Sequence, residues 1–500
     1  PCYGRGCNCT AGSPSILYES LWSGARMSTT AETQHRESTH RWFRWAFLGA
    51  ALLLFLILLA HVLWGSYAER RLEAQVARLR DEGEPMTLEQ LALPVVPDAA
   101  NASLDYQAAG KSIDTSAPAF HKWSSAERGH FQFPLTDDER ATFNAIVGAN
   151  AAAMKLVMAA RDKQAGQWGD KFTKPYFTST LDFTSSRNLA ELLNAAAYTA
   201  HAAGRDHDAV EHVHDLLRLA NASMNRPTLI AHLVAVGISA LGADTASAIA
   251  VDLHAPRPQV EALLRQLQEE RAIFDSRRLA LRSERIFELE ACYNFVDGVL
   301  SPNAIATPPN TGQRLVGYAI KPLAMDDGRQ AMIYVQDVLK ATEAPDWPTA
   351  QRQMPTAFMK EVEASPIRHM MARLTMPALD RAALSSYLAI AKRRLAATAL
   401  AVRLYALDHD GQLPRTLEAL VPRYLPAVPI DPLSGQAIRY INEAKNPRIY
   451  SVGRDGVDDG GKPEAQSLGT GRYGWKGDDV VNLTRQPREV EEPDGATTQP

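Results

Sequence analysis

The sequence predicts a mainly α fold in three parts: a single transmembrane helix, an extracytoplasmic helical body, and a small α+β module near the C-terminus. Three observations predict it. Trp45 to Trp64 is apolar around its whole helical circumference, with His61 the one polar interruption. The alanine-rich middle repeats apolar residues three and four apart, the spacing of one helical face. After Pro429 the pattern changes to short β-branched and aromatic runs set between Gly, Pro, Asn and Asp.

The chain is expected to divide as follows: a disordered tail over 1–44, the span over 45–64, a helical body over 65–300, a linker over 301–315, a helical segment over 316–390, the small module over 391–484 and a disordered tail over 485–500. Cys2, Cys7 and Cys9 crowd the first nine residues, and Cys7-Asn8-Cys9 lacks the Cys-x-x-Cys spacing of a zinc or redox pair. Met27 opens a polar stretch, so residues 1–26 read as an upstream translation artefact or a disordered leader. Cys292 is then the one cysteine left, and no disulfide framework is expected. A formal net charge of −4 gives no basic field, so no nucleic-acid partner is expected.

The span comes first in order. Its helical length, at about 1.5 Å per residue, matches the roughly 30 Å hydrocarbon core of a bilayer. Trp42, Trp45, Trp64 and Tyr67 flank it as an interfacial belt does. A cleaved signal peptide is the closest rival. Its apolar region is shorter, about 7–15 residues, and ends in a small-x-small site. His61-Val62-Leu63-Trp64-Gly65 is a poor site, so an uncleaved signal anchor is preferred. Arg36, Arg41 and Arg44 precede the run, while Arg70, Arg71, Arg78 and Arg80 follow it, so charge does not orient it. The short N-terminal tail and the acidic loop discussed below favour a cytoplasmic N-terminus, in an inner membrane with the bulk of the chain outside.

Ser66 to Arg80 continues the helix, with Leu72, Val76 and Leu79 on one stripe, until Gly83-Glu84-Pro85 stops it. Thr136 is the N-cap of the next clear helix. Residues 187–222 form a helical hairpin turning at Gly204-Arg205-Asp206, a unit of tetratricopeptide type without a clean repeat. Further helices are expected over 227–253, 258–290, 327–341 and 378–407, with a Pro/Asn-rich connector from Ser301 to Gln313.

His201, His207, His212 and His214 fall among Asp206, Asp208, Glu211 and Asp215. His207, Glu211 and His214 share one helix face, an offset that metal sites use, although no His-Glu-x-x-His is present. A solvated polar face explains them equally well. Glu284 and Arg285 in the long charged helix read as a buried pair, a substrate contact or surface charge.

The last segment orders several motifs. Tyr405 leads to Asp408-His409-Asp410-Gly411 and Pro414; Asp431-Pro432-Leu433-Ser434-Gly435 makes a turn; Ile438-Arg439-Tyr440 and Arg448 to Gly453 pair as strands; Arg454-Asp455-Gly456 and a late Asp478-Asp479 follow. Calcium takes roughly six to eight hard oxygens on flexible loops. Asp455, Asp458, Asp459, Asp478 and Asp479, with carbonyls between glycines, are the candidate donors for Ca2+, against the alternative of a solvated acidic turn.

This ordered set resembles the C-terminal part of the major pseudopilins of type II secretion. That family has a Tyr-x-x-Asp-x-Gly-x-x-Pro turn, matched from Tyr405 to Pro414 with altered spacing. It has an Asp-Pro-x-x-Gly turn, matched from Asp431 to Gly435, and a Tyr-Ser-x-Gly-x-Asp-Gly loop, matched from Tyr450 to Gly456. The resemblance implies a small antiparallel sheet and calcium near Asp455 and Asp478. It covers under a fifth of the chain, and the span has neither the family's leader site nor a glutamate near its start, so assembly into a filament is not expected. The remainder resembles anchored bacterial proteins of this layout, which implies no activity. The expected role is a structural or interaction protein of the envelope, tied to secretion or surface assembly, with membrane lipid and an envelope protein as partners. The alternative is an anchored metal-dependent hydrolase using His207, Glu211 and His214; a sensor is a third option.

Overall fold

The computed structural model describes residues 29–116, 120, 133–164, 166–172, 181–299, 308–366, 368–376, 379–462, 465–467, 473–475 and 477–485, and statements of absence below concern these. The expected leader, residues 301–307 of the linker and all of the final tail but Arg485 lie outside them. The chain separates into two compact units, residues 1–66 and 67–500.

In the first unit the described residues belong to helix α1, Thr29–Asp81, which continues into the second unit. Its most apolar window has mean hydropathy 2.7 and none of it is buried. Trp45 and Phe47 stand 72% and 75% exposed, a cost in water that a lipid environment removes. The helix is thus long and apolar enough to cross a membrane.

The second unit is mainly helical. Its helices are α2 (Ala102–Ser112), α3 (Asp137–Ala149), α4 (Ala151–Ala160), α5 (Thr184–Ala202), α6 (Asp206–Ser223), α7 (Leu229–Ala250), α8 (Arg257–Gln268) and α9 (Arg271–Val296). Then follow α10 (Thr311–Ala341), α11 (Trp347–Gln353), α12 (Thr356–Ala364), α13 (Met370–Thr375) and α14 (Leu379–Asp408). Local chemistry sets the starts. Thr136 and Glu139 form a reciprocal capping box on α3, and Asn310 and Gln313 form another on α10. The expected hairpin is α5–α6, and Gly204 turns it with φ +70°, a conformation that disfavours any side chain.

The sequence suggests one helix over 258–290, but the chain breaks it between Gln268 and Arg271. The cause is Arg393 of α14, which is fully buried. Its guanidinium donates to the carbonyls of Leu267 at 3.0 Å, Glu269 at 3.0 Å and Gln266, taking the bonds that would have continued the helix. At the other end, α10 begins sixteen residues earlier than the expected 327, because its capping box starts it inside the Pro/Asn-rich connector.

Helix α7 is also long and apolar enough to cross a membrane by composition, with mean hydropathy 1.6, but 61% of that window is buried inside the protein. It packs against α5, α6 and α14 in one hydrophobic core that runs from Ala102 to Leu483. A smaller cluster joins Ala68, Leu72, Val76 and Leu79 of α1 to Met325 and Met332 of α10. The expected boundary at 391 falls inside α14, whose residues on both sides of it are buried.

The C-terminal strands follow the expected order. β1 (Ile430–Asp431) pairs with β2 (Gln436–Ala437). β3 (Arg439–Ile441), β4 (Arg448–Ser451) and β7 (Asp479–Asn482) form an antiparallel sheet in the order β3-β4-β7, and β5 (Ala465–Ser467) pairs with β6 (Tyr473–Trp475).

Candidate functional site

Polar side chains gather at the histidine-rich hairpin, at the acidic C-terminal loop, and where Glu84 meets α9.

In the hairpin, α6 lies beside α8. His207 Nδ1 stands 3.0 Å from Gln259 Oε1, and Gln259 Nε2 donates to Glu211 Oε1 at 3.0 Å and to the His207 carbonyl at 2.9 Å. Two turns on, His214 Nδ1 meets Gln266 Oε1. Histidines seven apart on α6 therefore face glutamines seven apart on α8, as rungs between adjacent helices. His201 sits elsewhere, 2.6 Å from Asp206 and 3.0 Å from Asp252. Asp252 is also gripped by Arg485, which donates through Nε at 2.9 Å. Burial would raise its carboxyl, but His201 and Arg485 hold it well below the usual carboxylate range. Asp215 is buried and takes Arg161 at 2.7 Å. The shared face that the sequence suggested exists, but it is filled by glutamine.

The five aspartates of the acidic loop have different surroundings. Asp478 is buried, and its Oδ2 accepts amide N–H groups from Gly461 at 2.7 Å, Asp459 at 3.1 Å and Lys462 at 3.4 Å. Its Oδ1 is buried with no hydrogen-bond partner. Burial, only partly offset by those amides, keeps this carboxyl above its ordinary value. Asp458 is engaged by Arg439 at 2.7 Å and by the Tyr450 hydroxyl at 3.1 Å. Asp479 lies 3.9 Å from Lys392. Asp455 and Asp459 are exposed, and Asp455 Oδ1 accepts from the Val457 amide. Among the described residues no three His, Cys, Asp or Glu side chains come together as metal ligands. Asp458 and Asp479 have cations beside them, whereas Asp478 keeps one buried oxygen without a partner.

The third place was only half legible. Arg285 is fully buried, but its partner is not Glu284. It donates to Glu84 Oε2 at 2.8 Å, the Pro85 carbonyl at 3.0 Å and Gln336 Oε1 at 2.6 Å. Arg282 binds the same carboxylate at 3.0 Å through two nitrogens. Burial opposes ionisation of Glu84, yet the two guanidinium groups hold its carboxyl below the ordinary value. The Gly83-Glu84-Pro85 stop is therefore also an ionic lock between the end of α1 and α9. Beside it opens a cleft of about 910 Å3, lined by Arg80, Leu91, Leu93, Met224, Asp275 and Arg282 among others. It mixes both charge signs with apolar walls. No sequence signal linked residues about 200 positions apart.

Comparison with family models finds no match for this chain, and comparisons with curated proteins and with solved structures find none either.

Proposed function

We propose that this chain is a single-span protein of a bacterial-type envelope, held in the inner membrane by residues 45–64 with its bulk extracytoplasmic. Its helical body then serves a structural or protein-interaction role tied to secretion or surface assembly. The observation that carries this reading is the wholly exposed apolar window of helix α1, whose chain runs on without a break into a compact unit. The cleft beside Glu84 is the surface we assign to a segment of that partner. A photoreactive residue placed at Asn225, on the cleft wall, tests this in living cells. Cross-linking to a defined envelope protein is the expected result; a chain recovered uncross-linked, or joined to cytosolic proteins, overturns it.

Calcium enters this reading through Asp478 alone. Its buried, unpaired Oδ1 supports this reading as one oxygen ligand for such an ion. Thermal melts in calcium and in chelator, on the parent chain and on Asp478→Asn, check it. A calcium-dependent rise in Tm that the variant loses is expected; identical melts remove the ion from the proposal. The hydrolase reading gains no support, because Gln259 and Gln266 take the side chains it needs.

A further inference from the structure

We infer that the start of α10 is a second membrane contact, which lies on the lipid interface. This rests on the reading of residues 45–64 as the span. The folded unit receives the chain at Tyr67, three residues after Trp64 ends the apolar run, so that end of the unit must lie close to the lipid headgroups.

Helix α10 follows the Tyr67–Asp81 part of α1 in the same chain direction: Lys321 Nζ meets Glu69 Oε2 at 2.8 Å, Met325 and Met332 join the cluster of Ala68, Leu72, Val76 and Leu79, and further on Arg285 holds both Gln336 of α10 and Glu84 just past α1. The residues of α10 that precede Lys321 therefore point toward the end of the unit where the chain enters. Leu315, Val316 and Tyr318 lie three to six residues before it, a rise of roughly 5–9 Å. They are 64%, 48% and 46% exposed, whereas Met325, Met332 and Val335 further along the helix are buried. The backbone here is firmly placed. The Asn310–Gln313 capping box closes the first turn, and Gly317 packs so close to α9 that a Cβ would stand 2.3 Å from the Val296 carbonyl oxygen.

The surroundings match a lipid interface. Arg70, Arg71 and Arg314 are exposed and make no ion pair with any described carboxylate, and Arg71 lies over the Tyr67 ring at 5.6 Å. Exposed apolar side chains edged by tyrosine and arginine are the composition of an interfacial anchor on an anionic membrane. A patch of this kind facing water would be a liability for association.

Depth measurement tests the inference on the full-length chain. Nitroxide labels are placed by Val316→Cys and Tyr318→Cys, with Leu54→Cys in the span and Val95→Cys on the exposed surface as references. Cys2, Cys7 and Cys9 are replaced by Ser and the buried Cys292 is left in place. The chain is set singly in nanodiscs of phosphatidylcholine and phosphatidylglycerol. Collision with oxygen and with a water-soluble nickel chelate is then compared. Labels at 316 and 318 are expected to favour oxygen over the chelate several-fold, as the label at 54 does, while the label at 95 favours the chelate. Water-like values at 316 and 318 with a lipid-like value at 54 overturn the second contact and leave the span standing. Low access to both reagents indicates a protein cover, such as a second copy, and also overturns it. A water-like value at 54 removes the span itself, and the inference with it.

Discussion

Glu284 and Arg285 are neighbours on α9 that meet burial in opposite ways. Arg285 has a carboxylate partner in Glu84, whereas Glu284 has only the Leu229 amide, 3.1 Å from Oε1, at the N-terminus of α7. Burial therefore pushes the Glu284 carboxyl up to about 7, against the smaller opposing pull of that amide. Because the folded value exceeds the unfolded one, the fold binds the extra proton. The stability this gives is complete below about pH 4.5 and is lost as pH rises to about 7. The ionised form costs about 3 kcal/mol at most. Glu284→Gln keeps the acceptor and removes the charge, so urea midpoints for the variant should be flat between pH 5 and 8 where the parent declines. A parent curve as flat as the variant's would mean that solvent reaches the carboxylate. Arg226 is the opposite case, a buried cation fully paired. It forks onto Asp170 at 2.7 and 2.8 Å and lies 4.4 Å from the Phe183 ring and 5.1 Å from Trp168. Arg226→Lys loses the fork and the stacking, with an expected cost of roughly 2–4 kcal/mol in chemical denaturation followed by tryptophan fluorescence. Neither environment was legible beforehand, because each depends on a partner more than 50 positions away in the chain.

At the scale of elements, local signals were read well where they act within a few residues. The Thr136 cap, the Gly204 turn and the order of β3 and β4 needed only neighbours. The break between α8 and α9 was invisible, because the side chain that terminates α8 comes from Arg393, more than 120 residues on. The hairpin histidines show the same limit. Their spacing on one face was legible, but the glutamines that occupy it were not. Close helix contacts are a third case, since a glycine inside a helix reads as a weak point until its neighbour is known. Gly317 lets α10 approach the end of α9, with backbone oxygens of Phe295 and Val296 within 3 Å of any added Cβ. Gly317→Ala should therefore destabilise by about 1–3 kcal/mol despite alanine's better helix propensity. Backbone cannot swing aside as a side chain can, so a stabilised variant in the same denaturation assay would show that α9 and α10 pack more loosely than their geometry implies.

At the scale of the whole molecule, the sequence suggests a body and an attached module, and short antiparallel strands do form in that segment. The unit that results is more continuous than that division. Helix α14 opens the expected module, yet it lies along α7 and α8 in the centre of the body core, with Leu395, Leu400 and Leu404 buried. Polar ties bind the rest of the C-terminal segment to the same body. Arg394 pairs with Glu270 at 2.6 Å and Arg257 with Asp408 at 2.5 Å, while Arg485 reaches Asp252 and the Ala248 carbonyl. A buried helix shared by both regions couples their unfolding, since neither keeps its core when the other opens. Residues 67–485 should accordingly lose helical and tyrosine signals in a single coincident thermal transition. A chain ending at Met376 removes α14, which leaves the buried faces of α7 and α8 bare and the carbonyls capped by Arg393 unpaired. That fragment should be helical but loosely packed, binding a hydrophobic dye and melting without a cooperative step. Two separated transitions in the longer chain, or a cooperative melt in the shorter one, would establish instead that the C-terminal segment is an independent module resting on a body that folds without it.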